Sequence, residues 1–310
     1  MPELRVGERH WSVATGSNLL DALNTVGVGV PYSCRAGSCH ACLVRCRGEV
    51  EDKQPDALSA AQRQDGWRLA CQCQVIADVQ VDAFDPLRDG FPARVVGVDW
   101  LSMNVLRLRL LPERGLRYRA GQHLVLWAGQ VARPYSLASL PQEDAFLEFH
   151  LDCREPGQFS DIARQLQVAD GLQLGELRGG ALHYDPDWQS RPLWLLASGT
   201  GLGPLWGVLR EALRQDHQGA IRVIHLAHDA EAHYLAEPLA QLAAQHSNLT
   251  VELWTSAEWD QVLAQLRLVS RQTLALLCGH PVSVEAFSKR LFLAGLPRNQ
   301  LLADVFLPRG

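Results

Sequence analysis

The sequence has no apolar run of the roughly 18 residues that a membrane-spanning helix requires, and it has no long low-complexity tract. It also lacks an excess of basic residues, since 29 Lys and Arg stand against 34 Asp and Glu, for a formal net charge of −5. General nucleic-acid binding uses a clustered basic face, so this class of function is disfavoured. The first ten residues are polar and charged, unlike a signal peptide. We therefore expect a cytoplasmic protein with neither a nucleic-acid nor a membrane partner.

Cysteine is scarce over the last three quarters of the chain and concentrated in the first quarter, which holds six of the eight cysteines. Three of these follow the spacing Cys34-x4-Cys39-x2-Cys42, and further cysteines occur near residue 70. This spacing is typical of a plant-type [2Fe–2S] cluster. Structural zinc sites more often use two paired knuckles. Small residues such as Gly37 separate the ligands and allow backbone N–H groups to point at the sulfurs.

The fourth ligand can be either Cys71 or Cys73, because alternation along a strand would place both side chains on the same face. Cys46 is interpreted as a buried small residue in a strand over residues 43–47. Around this loop the sequence predicts a hairpin near the N-terminus, a helix capped by Ser17 or Asn18, and a closing strand over 79–81.

The middle of the chain shows short alternating segments separated by turns, which predict an antiparallel barrel after a linker over residues 85–92. The predicted strands cover 93–98, 105–111, 124–127, 135–138 and 146–151. Arg133-Pro134-Tyr135-Ser136 combines an anion ligand, a flat ring and a hydroxyl. Gly157-Gln158-Phe159-Ser160 precedes a helix predicted over 161–166, a position suited to an anion.

The C-terminal segment alternates apolar strands with helices, which predicts a parallel α/β sheet. After the strand over 193–197 comes a glycine-rich turn, followed by a helix over 205–213. Strand, glycine-rich turn and helix together are typical of a pyrophosphate site. The predicted contacts are Gly199, Thr200, Gly201 and Gly203.

The end of the second strand of this segment, 221–227, bears on the choice of coenzyme. Residues 228–233 contain Asp229 and Glu231 but no Lys or Arg. Carboxylates favour a free ribose 2′-hydroxyl, so NADH is predicted. His225, His228 and His233 are interpreted as a solvated loop end rather than a metal site.

The three segments together resemble the ferredoxin–NAD(P)H reductases that act as electron-transfer components of multicomponent bacterial oxygenases. The resemblance rests on the Cys-x4-Cys-x2-Cys loop, on Gly121-Gln122 before Arg-Pro-Tyr-Ser, and on Cys278-Gly279 after an apolar strand. It implies a β-grasp ferredoxin domain over 1–88, an FAD-binding antiparallel β-barrel over 89–188 and an NAD-binding α/β domain over 189–310.

The same resemblance implies roles for individual residues. It favours Cys71 over Cys73 as the fourth ligand, because an Asp, here Asp78, follows seven residues later. Ser136 and Cys278 would lie beside the nicotinamide and flavin. The implied flavin contacts are Arg133, Tyr135, Ser136, Gly157, Ser160 and Phe306.

The implied activity is oxidation of NADH with hydride transfer to FAD, followed by single electrons passing through the [2Fe–2S] cluster to a partner. The partner would be a terminal oxygenase or a ferredoxin acceptor that docks near residues 35–40. Two alternatives stay open: a reductase serving a deoxysugar dehydratase, and a redox-sensing flavoprotein. The sequence contains no Gly-x-Ser-x-Gly motif of a hydrolase.

Overall fold

The computed structural model describes residues 1–307. It contains two compact units. The first comprises Met1–Pro92, Leu124–Pro134 and Leu172–Arg178, and the second comprises Ala93–His123, Tyr135–Gly171 and the residues from Gly179 onward. No helix within residues 1–307 has the length and apolar character needed to cross a membrane. The domain boundaries predicted at residues 88 and 188 stay predictions.

The N-terminal sheet has the strand order β2-β1-β5-β3-β4. Its strands are β1 (Glu3–Val6), β2 (Arg9–Ser12), β3 (Leu43–Asp52), β4 (Trp67–Leu69) and β5 (Cys73–Ala83). The helices beside it are α1 (Leu19–Thr25), α2 (Ala60–Gln64) and α3 (Pro86–Asp89). Asn18 caps α1 by accepting from the backbone N–H of Asp21, as the sequence predicts. Leu19, Leu20 and Leu23 then point into the core of this sheet.

The middle sheet is antiparallel and curled, with the order β10-β7-β6-β11-β8-β9. Its strands are β6 (Phe91–Trp100), β7 (Val105–Pro112), β8 (His123–Ala128), β9 (Val131–Ser136), β10 (Leu147–Asp152) and β11 (Gly171–Arg178), and α4 is Gln158–Ala163. Strand β9 begins four residues earlier than predicted, so Tyr135 and Ser136 lie at its end. Helix α4 also begins three residues earlier than predicted.

The C-terminal sheet is parallel, with the order β14-β13-β12-β15-β16. Its strands are β12 (Leu193–Ser198), β13 (Ile221–Ala227), β14 (Leu249–Thr255), β15 (Leu274–Gly279) and β16 (Leu301–Val305). The helices are α5 (Leu202–Arg214), α6 (Ala236–Gln245), α7 (Trp259–Gln265) and α8 (Pro281–Leu293). Both faces of the sheet are covered by apolar clusters, which explains why β12 and β15 are buried along their whole length.

Several elements differ from the predictions. The predicted linker over 85–92 contains the short helix α3, which Asp85 caps at Leu87. Strand β11 has no counterpart among the predictions, because its charged Glu176 and Arg178 interrupt the apolar alternation while pairing with each other. Helices α7 and α8 and strand β16 were likewise not predicted.

Candidate functional site

The cysteine loop lies before β3 and brings three predicted ligands together through backbone contacts. The Cys34 Sγ accepts from the backbone N–H groups of Ala36 and Cys39, both at 3.3 Å. The Cys34 N–H in turn lies 3.5 Å from the Cys39 Sγ. Gly37 takes φ +76°, and a Cβ there would lie 2.5 Å from Gln54 Oε1. A tight turn around the sulfurs therefore requires glycine at this position.

The four predicted ligands form two pairs, Cys34 with Cys39 and Cys42 with Cys71. In each pair one thiol hydrogen-bonds to the other, which lowers the pKa of Cys34 to about 4 and that of Cys71 to about 7. The pKa values of Cys39 and Cys42 are raised by the same pairing and by burial. Within residues 1–307, no three His, Cys, Asp or Glu side chains are arranged around one ion position. Two thiol pairs fit a cluster with two irons better than a single tetrahedral ion.

The alternative fourth ligand, Cys73, points elsewhere. Cys71 lies in a 3-10 turn, Ala70–Gln72, whereas Cys73 begins β5. Alternation along a strand therefore does not relate the two side chains, because Cys71 precedes β5. Cys73 is fully buried in the core of the N-terminal sheet, which raises its pKa. Cys71 instead accepts a hydrogen bond from Gln72 Nε2 at 3.3 Å. Cys46 is buried in β3, as predicted.

The ligand loop packs on the middle sheet. Cys39 and Ala41 lie in one apolar cluster with Val125 and Trp127 of β8 and Ala132 of β9. Strand β9 is also the strand that carries Arg133 of the predicted flavin motif. The loop is thus fixed against the segment that precedes that motif.

His40 and Arg35, at the two ends of the predicted docking segment, differ in exposure. His40 is buried, with φ +56°, and its Nδ1 lies 3.6 Å from Glu176 Oε2. Arg35 is exposed, pairs with Asp21 and lies over the ring of Tyr32 at 4.8 Å. The exposed residues of this segment are Arg35, Ala36 and Ser38, whereas Gly37, Cys39 and His40 are buried.

A cavity in the second unit brings residues from both predicted nucleotide motifs together. Its lining includes Tyr135 and Ser136 of β9, Thr200 and Gly203 of the glycine-rich turn, and Phe306. These five residues were all predicted from the sequence. The cavity therefore lies where the flavin and pyrophosphate motifs meet.

The second flavin motif contacts the first through an aromatic pair. The ring of Phe159, in α4, lies 5.1 Å from that of Tyr135. The Ser160 hydroxyl donates to the carbonyl oxygens of Gly157 and Glu155, at 3.1 and 3.2 Å. Gly157 and Ser160 are not among the cavity residues, and their predicted phosphate contacts stay predictions.

Gly121 and Gln122, directly before β8, contact residues near the end of β9 and near residue 182. Gly121 takes φ +86°, and a Cβ there would lie 2.1 Å from the Leu182 carbonyl oxygen. The carbonyl oxygen of Gln122 accepts from the N–H of Leu137, just after Ser136, at 2.7 Å. These contacts fix the end of β9 relative to the start of β8.

The glycine-rich turn packs on the end of β15 so closely that side chains are excluded. A Cβ on Gly201 would lie 2.3 Å from the Cys278 carbonyl oxygen. A Cβ on Gly279, which has φ +128°, would lie 2.2 Å from the Ser198 carbonyl oxygen. The Ser198 Oγ accepts from the His280 N–H at 2.8 Å. The backbone of the Cys-Gly pair therefore packs directly against the backbone of the glycine-rich turn.

The Cys278 side chain does not reach the cavity. Its thiol is fully buried in the core of the parallel sheet, which raises its pKa well above the usual value. A role beside the nicotinamide stays a prediction for Cys278, whereas Ser136 does line the cavity.

Asp229, the predicted ribose ligand, follows β13. Its Oδ1 accepts from the Ala232 N–H at 3.0 Å and so caps a 3-10 turn, Ala230–Ala232. This cap fixes the carboxylate at the carboxyl end of the strand, where a parallel sheet binds its ligands.

Other residues at this site have no counterpart in the sequence motifs. His150 and Asp152 of β10 line the cavity. His225 is fully buried, so its interpretation as part of a solvated loop end is wrong. Its Nε2 lies 3.1 Å from the Gly199 carbonyl oxygen. A histidine within an apolar strand was the only sequence signal for this contact.

Comparison with known families agrees with this arrangement. A 2Fe-2S iron-sulfur cluster binding domain matches residues 5–75, an oxidoreductase FAD-binding domain matches 93–181, and an oxidoreductase NAD-binding domain matches 195–289. The three modules define an iron–sulfur flavoprotein reductase. Its cofactors are a [2Fe–2S] cluster, FAD and a nicotinamide coenzyme.

Relatives that align over nearly the whole chain identify the family. The reductase subunit of an aromatic O-demethylase from Amycolatopsis is 30% identical, with 98% of each chain covered. The ferredoxin–NAD(P)(+) reductase component of naphthalene 1,2-dioxygenase/salicylate 5-hydroxylase systems from Ralstonia is 29% identical, with 97% of each covered. The crystal structure of an Amycolatopsis cytochrome P450 reductase superimposes with a TM-score of 0.67 at 27% identity, with 99% of each covered. This chain belongs to the ferredoxin–NAD(P)(+) reductase family of oxygenase reductase components.

Proposed function

We propose that the protein is the NADH-dependent reductase component of an oxygenase system. The observation that carries this proposal is the cavity in which Tyr135 and Ser136 of the flavin motif face Thr200 and Gly203 of the coenzyme turn. Bound FAD supplies the step from two-electron hydride acceptance to one-electron donation to the cluster, which neither the coenzyme nor the cluster supplies alone. The protein residues bind and orient these groups.

The backbone of the glycine-rich turn binds the coenzyme pyrophosphate at the start of α5. The hydroxyl of Ser136 and the ring of Tyr135 orient the flavin within the same cavity. Four cysteine thiols hold the cluster, Cys34, Cys39, Cys42 and Cys71. Cys39 shares an apolar cluster with Ala132, which directly precedes Arg133 of the flavin motif.

NADH rather than NADPH is the proposed coenzyme. The hydrogen bond from the Ala232 N–H holds Asp229 at the end of β13. A carboxylate in this position accepts a hydrogen bond from a ribose hydroxyl but repels a 2′-phosphate. Within residues 228–233 no Lys or Arg compensates for that charge.

Exposure of the loop at Arg35 supports docking of the electron acceptor there. Relatives are reductase components of dioxygenase systems, such as the terephthalate 1,2-dioxygenase of Comamonas (32% identical, 68% of that protein covered). We propose an oxygenase component, or a ferredoxin that serves one, as the partner.

Steady-state and stopped-flow assays test this function. We expect NADH to reduce the bound flavin and then bleach the cluster, with ferricyanide or cytochrome c as final acceptor, and we expect kcat/KM for NADH to exceed that for NADPH. A preference for NADPH of about tenfold would contradict the coenzyme assignment. Electron transfer to a deoxysugar dehydratase but to no oxygenase would contradict the proposed partner. A relative from Yersinia pestis, 24% identical, is named as a reductase for such a dehydrase.

A further inference from the structure

Tyr234 lies between two histidines that belong to different sheets of the second unit. Its hydroxyl is 3.3 Å from His150 Nδ1, on β10 of the curled sheet. Its ring meets the ring of His150 edge-on at 5.2 Å, and meets that of His225, on β13 of the parallel sheet, edge-on at 5.7 Å. All three side chains are buried. One tyrosine thus contacts both the flavin-binding and the coenzyme-binding sheets.

On the coenzyme side, the hydrogen-bonding pattern fixes the tautomer of His225. A carbonyl oxygen only accepts, so His225 Nε2 carries the proton that it shares with Gly199 at 3.1 Å. Burial, with the nearby charge of His233, lowers the pKa of His225 to about 3 and keeps the ring neutral. Its Nδ1 then accepts from the Nδ1–H of His233, 3.1 Å away. His233, the residue before Tyr234, is thereby linked through His225 to Gly199 of the glycine-rich turn.

On the flavin side, His150 is held by charged groups. Its Nε2 lies 3.1 Å from Glu148 Oε1, and Glu148 Oε2 accepts from Arg109 Nε at 2.9 Å. Burial acts to raise the pKa of Glu148, but His150 and Arg109 together lower it to about 2. His150 Nε2–H donates to the Glu148 carboxylate, and its Nδ1 lies 3.3 Å from the hydroxyl of Tyr234, whose pKa burial raises well above its usual value.

His150 also touches the coenzyme turn and lines the cavity. A Cβ on Gly203 would lie 3.2 Å from His150 Nδ1, and both residues line the cavity with Tyr135 and Ser136. A shift of Tyr234 would therefore move both the histidine in the cavity and the segment linked to Gly199.

We propose that Tyr234 is a positioning residue for hydride transfer. Through His150 on one side and the His233–His225 link on the other, it holds the glycine-rich turn at a fixed distance from β10, whose His150 lines the cavity together with Tyr135 and Ser136 of β9. The proposal rests on the proposed function, since it concerns the approach of the nicotinamide to the flavin. Displacements of about 1 Å can slow an oriented reaction by about a hundredfold.

The test is Tyr234→Phe, which keeps the ring and removes the hydroxyl that faces His150. In stopped flow at saturating NADH, we expect flavin reduction in the holoprotein to slow by about tenfold. Calorimetry should give a Kd for ADP-ribose within about twofold of wild type, because the contact between His225 and Gly199 is retained. The change in flavin absorption when NAD+ binds the oxidised holoprotein should weaken.

Tyr184→Phe is the matched control. Tyr184 is also buried, and its hydroxyl lies 2.9 Å from Nδ1 of another buried histidine, His217, whose ring it meets at 74°. Neither residue lines the cavity. This variant should lose similar thermal stability, while its rate of flavin reduction and its NAD+ difference spectrum stay as in wild type.

Two results would overturn the proposal: wild-type kinetics in Tyr234→Phe, or equal slowing in both tyrosine variants. If Tyr234→Phe does not fold, His150→Gln removes the same contact, and the same slowing is required of it. A wild-type protein that NADH does not reduce would instead contradict the proposed function, independently of either variant.

Discussion

The cysteine loop and the coenzyme cavity are built from different kinds of contact. At the loop, backbone N–H groups of neighbouring residues point at the sulfur of Cys34. At the cavity, side chains from β9, β10 and α5 meet, and buried hydrogen bonds such as that between Tyr234 and His150 fix them. A ligand change at the loop should therefore act locally. A substitution at the cavity should also alter the positions of the strands and helices that pack around it.

The largest expected effect separates the two candidate fourth ligands. Cys71→Ser should abolish the rhombic electron-paramagnetic signal of the dithionite-reduced cluster while NADH still reduces the flavin, because Cys71 pairs with Cys42. Cys73→Ser is the control and should retain the signal, since Cys73 lies in the apolar core. Loss of the signal in the Cys73 variant alone would reverse the ligand assignment.

The next effect tests the packing of the glycine-rich turn. Gly201→Ala should lower stability by about 3 kcal/mol and weaken NAD+ binding, because its Cβ would lie 2.3 Å from the Cys278 carbonyl oxygen. Gly199 has φ +53° but no atom within 4 Å of a Cβ, so Gly199→Ala should cost only about 1 kcal/mol. Thermal unfolding of both holoproteins measures the difference. Equal costs would show that close packing against Cys278 does not require glycine at position 201, where φ is −59° and suits any residue.

A smaller effect concerns the charge of Asp229. Asp229→Ser retains an oxygen that can cap the 3-10 turn but removes the carboxylate. We expect the ratio of kcat/KM for NADH to that for NADPH to fall about fivefold. Asp185 caps another 3-10 turn in the same way, through the N–H of Asp187, and Asp185→Ser should leave the ratio unchanged. An unchanged ratio in the Asp229 variant would remove this residue from the coenzyme site.

The final effect is the pH dependence of stability that comes from His225. Its pKa is about 3 in the folded protein and about 6.5 when unfolded. As the pH falls through 6.5, the unfolded state gains a proton that the folded state does not, so stability is lost on acidification. Between pH 7.5 and 5.5 this amounts to about 1.4 kcal/mol.

The comparison of wild type with His225→Asn measures this contribution. The variant should be less stable at pH 7.5, but its melting temperature should fall less between pH 7.5 and 5.5. Parallel falls in both proteins would show that His225 does not carry the effect. His217 and His233, whose pKa values burial also lowers, contribute to the remaining loss in both proteins.

The cluster loop and the glycine-rich turn were predictable because their residues are close in sequence. Short spacing fixes which groups of one loop can face a common point, so Cys34, Cys39 and Cys42 form a recognisable pattern. The sequence pattern did not show which of Cys71 and Cys73 is the fourth ligand. The structure places Cys71 in a 3-10 turn rather than in a strand, and a pattern of alternation does not predict such a turn. Local hydrogen bonds, not strand alternation, set its direction.

The polar residues behind the cavity were not predictable. His150 lies on β10, His225 on β13 and Tyr234 in the turn before α6, so no short sequence motif joins the three. Cys278 shows the reverse case. Its motif was recognisable, but the position of its side chain depends on which face of β15 packs into the core.

The sequence by itself determined the order of three modules, the type of metal centre and the two nucleotide motifs, because each depends on residues within a few positions of one another. Only the tertiary structure decided which cysteine completes the two thiol pairs. It alone also showed that a buried tyrosine connects the flavin and coenzyme sheets. Such contacts join residues far apart in the chain, and sheet order and helix packing, rather than spacing, bring them within hydrogen-bonding distance.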